Sequence, residues 1–134
     1  MKEFSEYPKL RYSSLSENSA EKFYHDFLNE RFAEAFLVNL KLEVDIDNTA
    51  GYTSSFLDEA FGNLVFDYSF DVVNTNLIVI SNDEPYWLDM IKNETFPEWE
   101  KRRKDKKPPQ KTTPHPAWYR LVNNKLEKKI WINV

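Results

Sequence analysis

The feature that most constrains the fold of this chain is residues 38–65, where a strand pattern leads through a short polar loop into a helix pattern. Over residues 38–47 apolar side chains alternate strictly with polar ones, which indicates a strand with one buried and one solvated face. Over residues 55–68 the apolar side chains recur at helical spacing and form one stripe. The segment therefore predicts a strand–loop–helix unit.

Two further helices and a second strand are predicted around this unit. Apolar spacing indicates a helix over residues 19–36, with Ser19 in position to cap it. Residues 77–81 form an apolar run of strand length, and Pro85 suits the first turn of a helix over residues 85–92. Strands that alternate with helices indicate a small α/β layer fold, with two parallel strands and helices mainly on one face of a mixed sheet.

The two ends of the chain differ from this centre. Residues 1–12 predict a weak edge strand. Residues 95–116 combine a basic run with most of the prolines, which is typical of a linker or an exposed loop. We therefore predict an α/β domain over residues 1–94, a basic loop over residues 95–116, and an extension over residues 117–134 that packs on the domain or on a partner.

The C-terminal extension has the pattern of a β-hairpin. Two apolar stretches flank Asn123 and Asn124, a pair of residues that favours a tight turn. A two-residue loop at this place sets Arg120 opposite Glu127 across the two strands, where the opposite charges attract.

The basic run lies in an otherwise acidic chain. The net charge is −4, yet residues 100–111 hold seven of the eighteen basic residues and two of the twenty-two acidic ones. Such a run could bind phosphates, or it could dock on an acidic partner or on the acidic face of its own domain. The candidate phosphate and nucleic-acid contacts are Lys101, Arg102, Arg103, Lys104, Lys106 and Lys107.

Composition excludes several classes of protein. The chain has no cysteine, so it has neither disulfides nor a thiolate metal site nor a cysteine nucleophile. The 41% hydrophobic and 16% aromatic content indicates a folded domain. We find no signal-peptide pattern and no apolar run of 18 or more residues, so we predict a cytoplasmic protein without a membrane span.

No catalytic or metal-binding set emerges from the titratable residues. His25 and His115 have no nucleophile or ligand partner nearby in sequence, and we expect His25 at the surface. Four carboxylates flank the central loop and could together bind Mg²⁺ or Ca²⁺, but they lack the spacing of a known cation motif, and a solvated strand face explains the first two equally well, so we predict no metal. They are Asp45, Asp47, Asp58 and Glu59. We therefore predict that the chain is not an enzyme.

Residues 51–62 read GYTSSFLDEAFG and follow an acidic-ended strand. This string resembles the signature of a bacterial STAS-like domain family of unknown function. The resemblance covers about residues 8–92 and is most specific between residues 44 and 65. It departs from the family at residues 18–20, which replace a Ser-Gly pair, and at Asn63, where a second glycine is usual. The implied fold is a small STAS-like mixed sheet, here with a C-terminal β-hairpin extension.

The resemblance implies a relationship to anti-sigma factor antagonists. These are non-enzymatic STAS domains that bind a GHKL-type kinase and are phosphorylated on Ser or Thr at the start of the helix after a central strand. The matching acceptor positions are Ser54 and Ser55, with Thr53 as the less favoured one. The surrounding partner-binding residues would be Asp47, Gly51, Tyr52, Asp58 and Glu59. The kinase would supply ATP and Mg²⁺, so no cofactor is expected in this chain.

Several alternatives stay open from the sequence. Ser55 with Asp58 three residues later has the form of a capping box, so Ser55 is also predicted as the helix N-cap. The whole chain could instead be a nucleic-acid-associated module that uses residues 101–111, or an accessory component of a bacterial defence or toxin system. Assembly as a homodimer through the hairpin is a further hypothesis.

Overall fold

The computed structural model describes residues 11–14, 18–47 and 53–133. The predicted edge strand over residues 1–12 therefore lies almost entirely outside the described residues. Helix α1 comprises Ala20–Phe23, a π-helical turn Tyr24–Leu28, and Asn29–Leu37. Strand β1 is Leu42–Asp45, helix α2 is Ser54–Tyr68, helix α3 is Phe70–Asn76, and strand β2 is Leu77–Ile80. Helix α4 comprises Tyr86–Met90, a second π-helical turn Ile91–Thr95, and Phe96–Lys104. Strands β3, Trp118–Val122, and β4, Lys125–Lys129, complete the described elements.

Strands β1 and β2 pair in parallel, with Leu42 opposite Leu77 and Asp45 opposite Ile80. The chain passes from one to the other through α2 and α3, so the predicted strand–helix–strand crossover is confirmed. The two faces of β1 have opposite environments, because Val44 is buried whereas Glu43 and Asp45 are exposed. This alternation confirms the mixed α/β fold with one covered sheet face.

Strand β1 is shorter than predicted, because residues 38–41 complete helix α1 instead. The N–H of Asn39 bonds to Phe36 O at 3.2 Å, and that of Leu40 bonds to Ala35 O at 2.9 Å. Asn39 has a φ of 58°, which is the left-handed conformation that commonly ends a helix. Val38 and Leu40 are consequently more than 60% exposed. Their alternation with polar residues imitates a strand, so that part of the strand prediction was wrong.

Helix α2 is the centre of the molecule. Its apolar stripe, including Phe56, Phe61 and Leu64, is fully buried, as its spacing predicts. The other faces are buried too, because α1, α4 and β3 all contact this helix. At Gly62 an added Cβ would lie 2.1 Å from the ring of Trp99, so only glycine admits the close approach of α4.

The predicted basic loop over residues 95–116 is helical as far as Lys104, and α4 extends well beyond residue 92. Proline normally ends a helix, because its ring meets the carbonyl group one turn earlier. Here the π-helical turn Ile91–Thr95 lies just before Pro97 and widens the helix at that point. The loop prediction was therefore wrong for the first half of this segment, and Trp99 on α4 is fully buried.

Strands β3 and β4 form the predicted antiparallel hairpin. Arg120 lies opposite Glu127, and the turn residues Asn123 and Asn124 have φ values of 50° and 65°. Two left-handed residues in a row define the type I′ turn that suits the twist of a hairpin. Trp118 packs into the core at 3% exposure, and Trp131 Nε1 donates to its carbonyl at 2.8 Å. Among the described helices, none is both long enough and apolar enough to cross a membrane.

Candidate functional site

The start of α2 carries the candidate acceptor residues. Thr53 has an extended backbone, and its Oγ1 accepts a hydrogen bond from Phe56 N at 3.2 Å, so Thr53 is the N-cap. The predicted capping box at Ser55 was wrong, because Ser55 already lies inside the first helical turn. Ser54 is the first helical residue and is exposed, whereas Ser55 is half-buried. Ser54 is thus the more accessible of the two serines.

An arginine holds the two acidic residues that follow. Arg11 Nη1 donates to Asp58 Oδ2 at 2.9 Å and to Glu59 Oε1 at 3.1 Å. Asp58 remains partly exposed, but the side chain of Glu59 is only 4% exposed, and its Oε2 accepts from Asn63 Nδ2. Burial raises the pKa of Glu59, although Asn63 and Arg11 oppose the shift. The buried Glu59 therefore holds the half-buried Arg11 in place, and Asp58 is the more accessible of the two carboxylates.

Asp47 connects the ends of the two parallel strands. Its carboxylate accepts from the backbone N–H groups of Asn82 at 2.9 Å and Asp83 at 2.8 Å. These two hydrogen bonds lower the pKa of Asp47, whose side chain is half-buried. Asp47 thereby fixes the loop after β2 next to the end of β1. The predicted contacts Gly51 and Tyr52 lie outside the described residues.

A second polar centre, which sequence reasoning missed, begins at Asn63, one helical turn after Glu59 on the same face of α2. The ammonium group of Lys111 is buried and donates to Asn63 Oδ1 at 2.6 Å. It also lies 5.2 Å from the ring of Tyr24 and 5.4 Å from that of Trp118. Burial lowers the pKa of Lys111 to about 8, although Asp67 and Glu59 oppose that shift. The basic segment therefore docks partly on the acidic face of its own domain.

Glu21 is the buried anchor for the residues after Lys111. Its carboxylate accepts from Thr112 Oγ1 at 2.6 Å, from Ser13 N at 2.9 Å, and from His115 Nε2 at 2.5 Å. Burial alone would raise the pKa of Glu21, but the hydrogen bonds from His115, Thr112 and Ser13 hold it well below its ordinary range. Glu21 thus joins α1 to Ser13, eight residues earlier, and to Thr112 and His115, which lie 91 and 94 residues later.

Asp67 makes the equivalent connection to the hairpin. Its side chain is 2% exposed and accepts from Arg120 Nε at 2.9 Å and from the Tyr24 hydroxyl at 2.5 Å. Burial raises the pKa of Asp67, and Arg120 and Lys111 oppose the shift. Asn29 adds two bonds to the hairpin backbone, since it accepts from Tyr119 N and donates to Tyr119 O. The hairpin is therefore held by buried polar contacts.

The two histidines meet, although they are far apart in sequence. The ring of His25 stacks on that of His115 at a centroid distance of 3.8 Å. Both ring nitrogens of His25 are buried without a hydrogen-bond partner among the described residues, so the predicted surface position was wrong. Burial, with Lys111 and His115 nearby, lowers the pKa of His25 to about 2, which keeps the ring neutral. Among the described residues, no group of His, Asp and Glu has a geometry that could hold a metal ion.

The candidate phosphate contacts lie along the last turns of α4 and just after it. Arg103 donates from Nε and Nη2 to the carboxylate of Glu100, and the guanidinium of Arg102 lies 3.9 Å from the ring of Trp99. The other four residues, Lys101, Lys104, Lys106 and Lys107, are exposed. Cations at a helix C-terminus also stabilise the helix dipole, so the basic run has a structural role. Nucleic-acid binding stays a prediction.

The first two thirds of the chain match a known protein family after residue 18. A family model described as a STAS-like domain of unknown function matches residues 19–87, just over half of the chain. No curated protein and no solved structure matches the chain. The matched residues include the parallel strand pair and the whole of α2 with its candidate acceptors, as the sequence resemblance implied. Most of α4 and the hairpin follow the match. The chain therefore belongs to the family of STAS-like domains of unknown function.

Proposed function

We propose that this protein is a non-enzymatic regulatory domain that binds a protein partner through the start of α2, in the manner of the anti-sigma factor antagonists. The observation that carries the proposal is the position of Ser54 in a STAS-like domain. Ser54 is exposed at the first residue of a 15-residue helix, and the neighbouring Thr53 already provides the cap. A modification at Ser54 therefore leaves the helix cap in place.

Phosphorylation of Ser54 has an electrostatic effect on this surface in the proposed mechanism. A phosphate adds about −1.5 to −2 charges and accepts hydrogen bonds from the free N–H groups of a helix N-terminus. The same group repels the carboxylate of Asp58 and competes with it for Arg11, which now bonds to Asp58 at 2.9 Å. Arg11 and Asp58 would then rearrange, and the surface offered to the partner would change charge and shape.

The proposed partner is a GHKL-type kinase or a similar anti-sigma-like regulator. Such a partner would bring ATP and Mg²⁺, so the domain needs to supply only the hydroxyl group and the docking surface. The partly exposed groups around the site are acidic, since Asp47 and Asp58 both flank it. A partner surface with basic residues would complement them.

The first experiment is affinity capture of the full chain from its native cell, with mass spectrometry of the bait and its companions. We expect a kinase-like ATPase among the companions and a phosphate on Ser54. Purified kinase should phosphorylate the Ser55→Ala variant but not the Ser54→Ala variant. A phosphate on neither serine, with no companion protein, would contradict the proposal.

The effect of charge is tested with the recovered partner. We expect Ser54→Asp to weaken partner binding by about tenfold, because it places a negative charge beside Asp58. Thr75→Asp is the matched control, since Thr75 is also exposed but lies on α3. Equal binding by the two variants would show that the partner docks elsewhere.

A further inference from the structure

A cleft of about 570 Å³ lies at the opposite end of α2 from Ser54. The end of α2, the start of α3, the end of α4 and the turn of the hairpin form its walls. Its volume falls within the range of about 300–1,000 Å³ that is usual for small-molecule sites. Since residues after the family match, at the end of α4 and in the hairpin, provide two of the four walls, the cleft requires both the family-matched residues and those that follow them.

The charged side chains of the cleft are mostly basic, although the chain as a whole is acidic. Arg103, Lys106 and Arg120 line it, and Asp67 is the acidic residue among its lining side chains. Asp67 is buried and already accepts from Arg120 and Tyr24. The accessible part of the cleft therefore carries an excess of positive charge, which is suited to an anion.

The two arginines are held in place by carboxylates before any ligand binds. Arg120 uses its Nε for Asp67, and Arg103 uses Nε and Nη2 for Glu100. A guanidinium group has five N–H donors, so each arginine has further donors beyond these contacts. A fixed guanidinium loses little conformational freedom when it binds a ligand, and its planar fork matches the oxygens of a phosphate.

Residues with a positive φ angle are concentrated at the same cleft. Of the five described non-glycine residues with positive φ, four line it: Ser69, Lys106, Asn123 and Asn124. The hairpin turn accounts for the two asparagines. Lys106, with a φ of 57°, occupies the position after the end of α4 where glycine is the usual residue. Strained residues of this kind gather at ligand-binding sites, and here the strain places a lysine at the cleft.

Part of the cleft lining is apolar. Val72, Leu121 and Trp131 are half-buried and line the cleft together with the three cations. We propose that this cleft binds a small phosphomonoester with an apolar or aromatic portion, and that Arg103, Lys106 and Arg120 contact its phosphate group. Three cations match a phosphate dianion better than a single carboxylate. The apolar side chains contact the organic portion.

Phenyl phosphate is a suitable probe, because it combines a phosphomonoester with an aromatic ring. We expect isothermal titration calorimetry of the full chain to detect its binding, with weaker binding of inorganic phosphate and none of phenol. Lys106→Ala should weaken phenyl phosphate binding by about tenfold, as expected for a charge-assisted contact. Lys107→Ala, a neighbouring exposed lysine outside the cleft lining, should change it by less than about twofold.

The Lys106→Gly variant distinguishes a loss of ligand binding from a loss of stability. Glycine relieves the positive φ, so this variant should melt at a higher temperature than the natural chain while it binds phenyl phosphate about tenfold more weakly. Ser54→Ala should bind the probe normally, so a failure at the start of α2 leaves this result unaffected. Two results would overturn the proposal. One is no binding of phenyl phosphate, and the other is equal loss in Lys106→Ala and Lys107→Ala, which would indicate diffuse attraction such as that for a single-stranded oligonucleotide.

Discussion

Residues 19–87, which match the family, and the residues that follow them are held in the fold by different kinds of contact. Within the matched region the core is mainly apolar, as the fully buried Leu57, Phe61 and Leu64 illustrate. The later residues add Trp99 and Trp118 to this core, but they also bring cations and hydrogen-bond donors to buried polar groups. These contacts are Lys111 with Asn63, His115 with Glu21, and Arg120 with Asp67.

The difference shows that the residues after the match are an integral part of the domain. When buried apolar surface is uncovered, the folded state loses stability in proportion to the area exposed. A buried carboxylate that loses its partner instead keeps a large desolvation penalty. Glu21 and Asp67 both lie in the matched region and are both at least 98% buried as side chains. Thr112, His115 and Arg120 are among their partners, so the buried carboxylates of the matched region depend on residues that follow the match.

The largest expected effect comes from removal of one buried carboxylate. Asp67→Ala should lower the free energy of unfolding by about 3–5 kcal/mol, because Arg120 and Lys111 lose their buried counter-charge. Urea denaturation followed by circular dichroism measures the change. Glu43→Ala, on the exposed face of β1, is the control and should change stability by less than about 0.5 kcal/mol. A loss below about 1 kcal/mol for Asp67→Ala would mean that the hairpin is only loosely attached.

The apolar attachment of α4 is tested at Gly62. Gly62→Ala should cost about 3 kcal/mol, because the new methyl group overlaps the buried ring of Trp99. In a Trp99→Ala background the same change should become stabilising by up to about 1 kcal/mol, since alanine is the better helix former. Denaturation of the four chains forms a double-mutant cycle. Additive effects would show that the helices approach each other less closely.

The buried Lys111 predicts how stability depends on pH. Its folded pKa of about 8 lies below the ordinary 10.5, so the unfolded chain binds more protons between these values. Stability should therefore rise by about 2 kcal/mol from pH 8 to pH 10, as the buried ammonium group loses its proton. Above pH 10 it should fall again, because the pKa of Tyr24 is raised in the folded state.

Lys111→Met is the matched variant for this measurement, since it keeps the length of the side chain without the charge. Its stability should change little between pH 8 and pH 10, when thermal or urea unfolding is measured at each pH. A rise of equal size in the variant would assign the pH dependence to another group.

The smallest expected effect concerns the matched region alone. Thr53→Ala should cost about 1 kcal/mol through loss of the N-cap, and Ser55→Ala should cost less than about 0.5 kcal/mol. Chemical denaturation at neutral pH distinguishes them. The opposite order would restore Ser55 as the cap and would show that α2 begins later than Ser54.

Periodicity predicted the parts of the fold in which local pattern and burial agree. The helix that begins after Ser19, the buried stripe of α2, the parallel strand pair and the hairpin turn at Asn123 all follow from such patterns. Residues 38–41 did not, because the alternation of apolar and polar side chains does not reveal the left-handed backbone at Asn39 that ends α1. Pro97 contributed to the opposite error, a predicted loop where the structure has a helix, because the π-helical turn before it accommodates the proline.

The candidate site was predictable only in part. The sequence located the start of α2, but it could not choose a cap, because Thr53 and Ser55 are both good capping residues two positions apart. The buried polar contacts left no local signal. A lysine or glutamate has the same appearance in a sequence whether its partner is water or a side chain far along the chain, and Thr112 lies 91 residues from Glu21. One hint was Asn63, which departs from the family pattern and accepts from Lys111.

The close approach at Gly62 has a consequence beyond this chain. The glycine belongs to the GYTSSFLDEAFG string on which the family resemblance depends, so another chain with this string would also lack a Cβ at this point and could offer the hollow that Trp99 fills here. In a relative that ends before the equivalent of α4, the hollow would open on the surface as a socket for an aromatic side chain. A second protein could then insert its own tryptophan, so that what is an intramolecular contact here would be an assembly contact there.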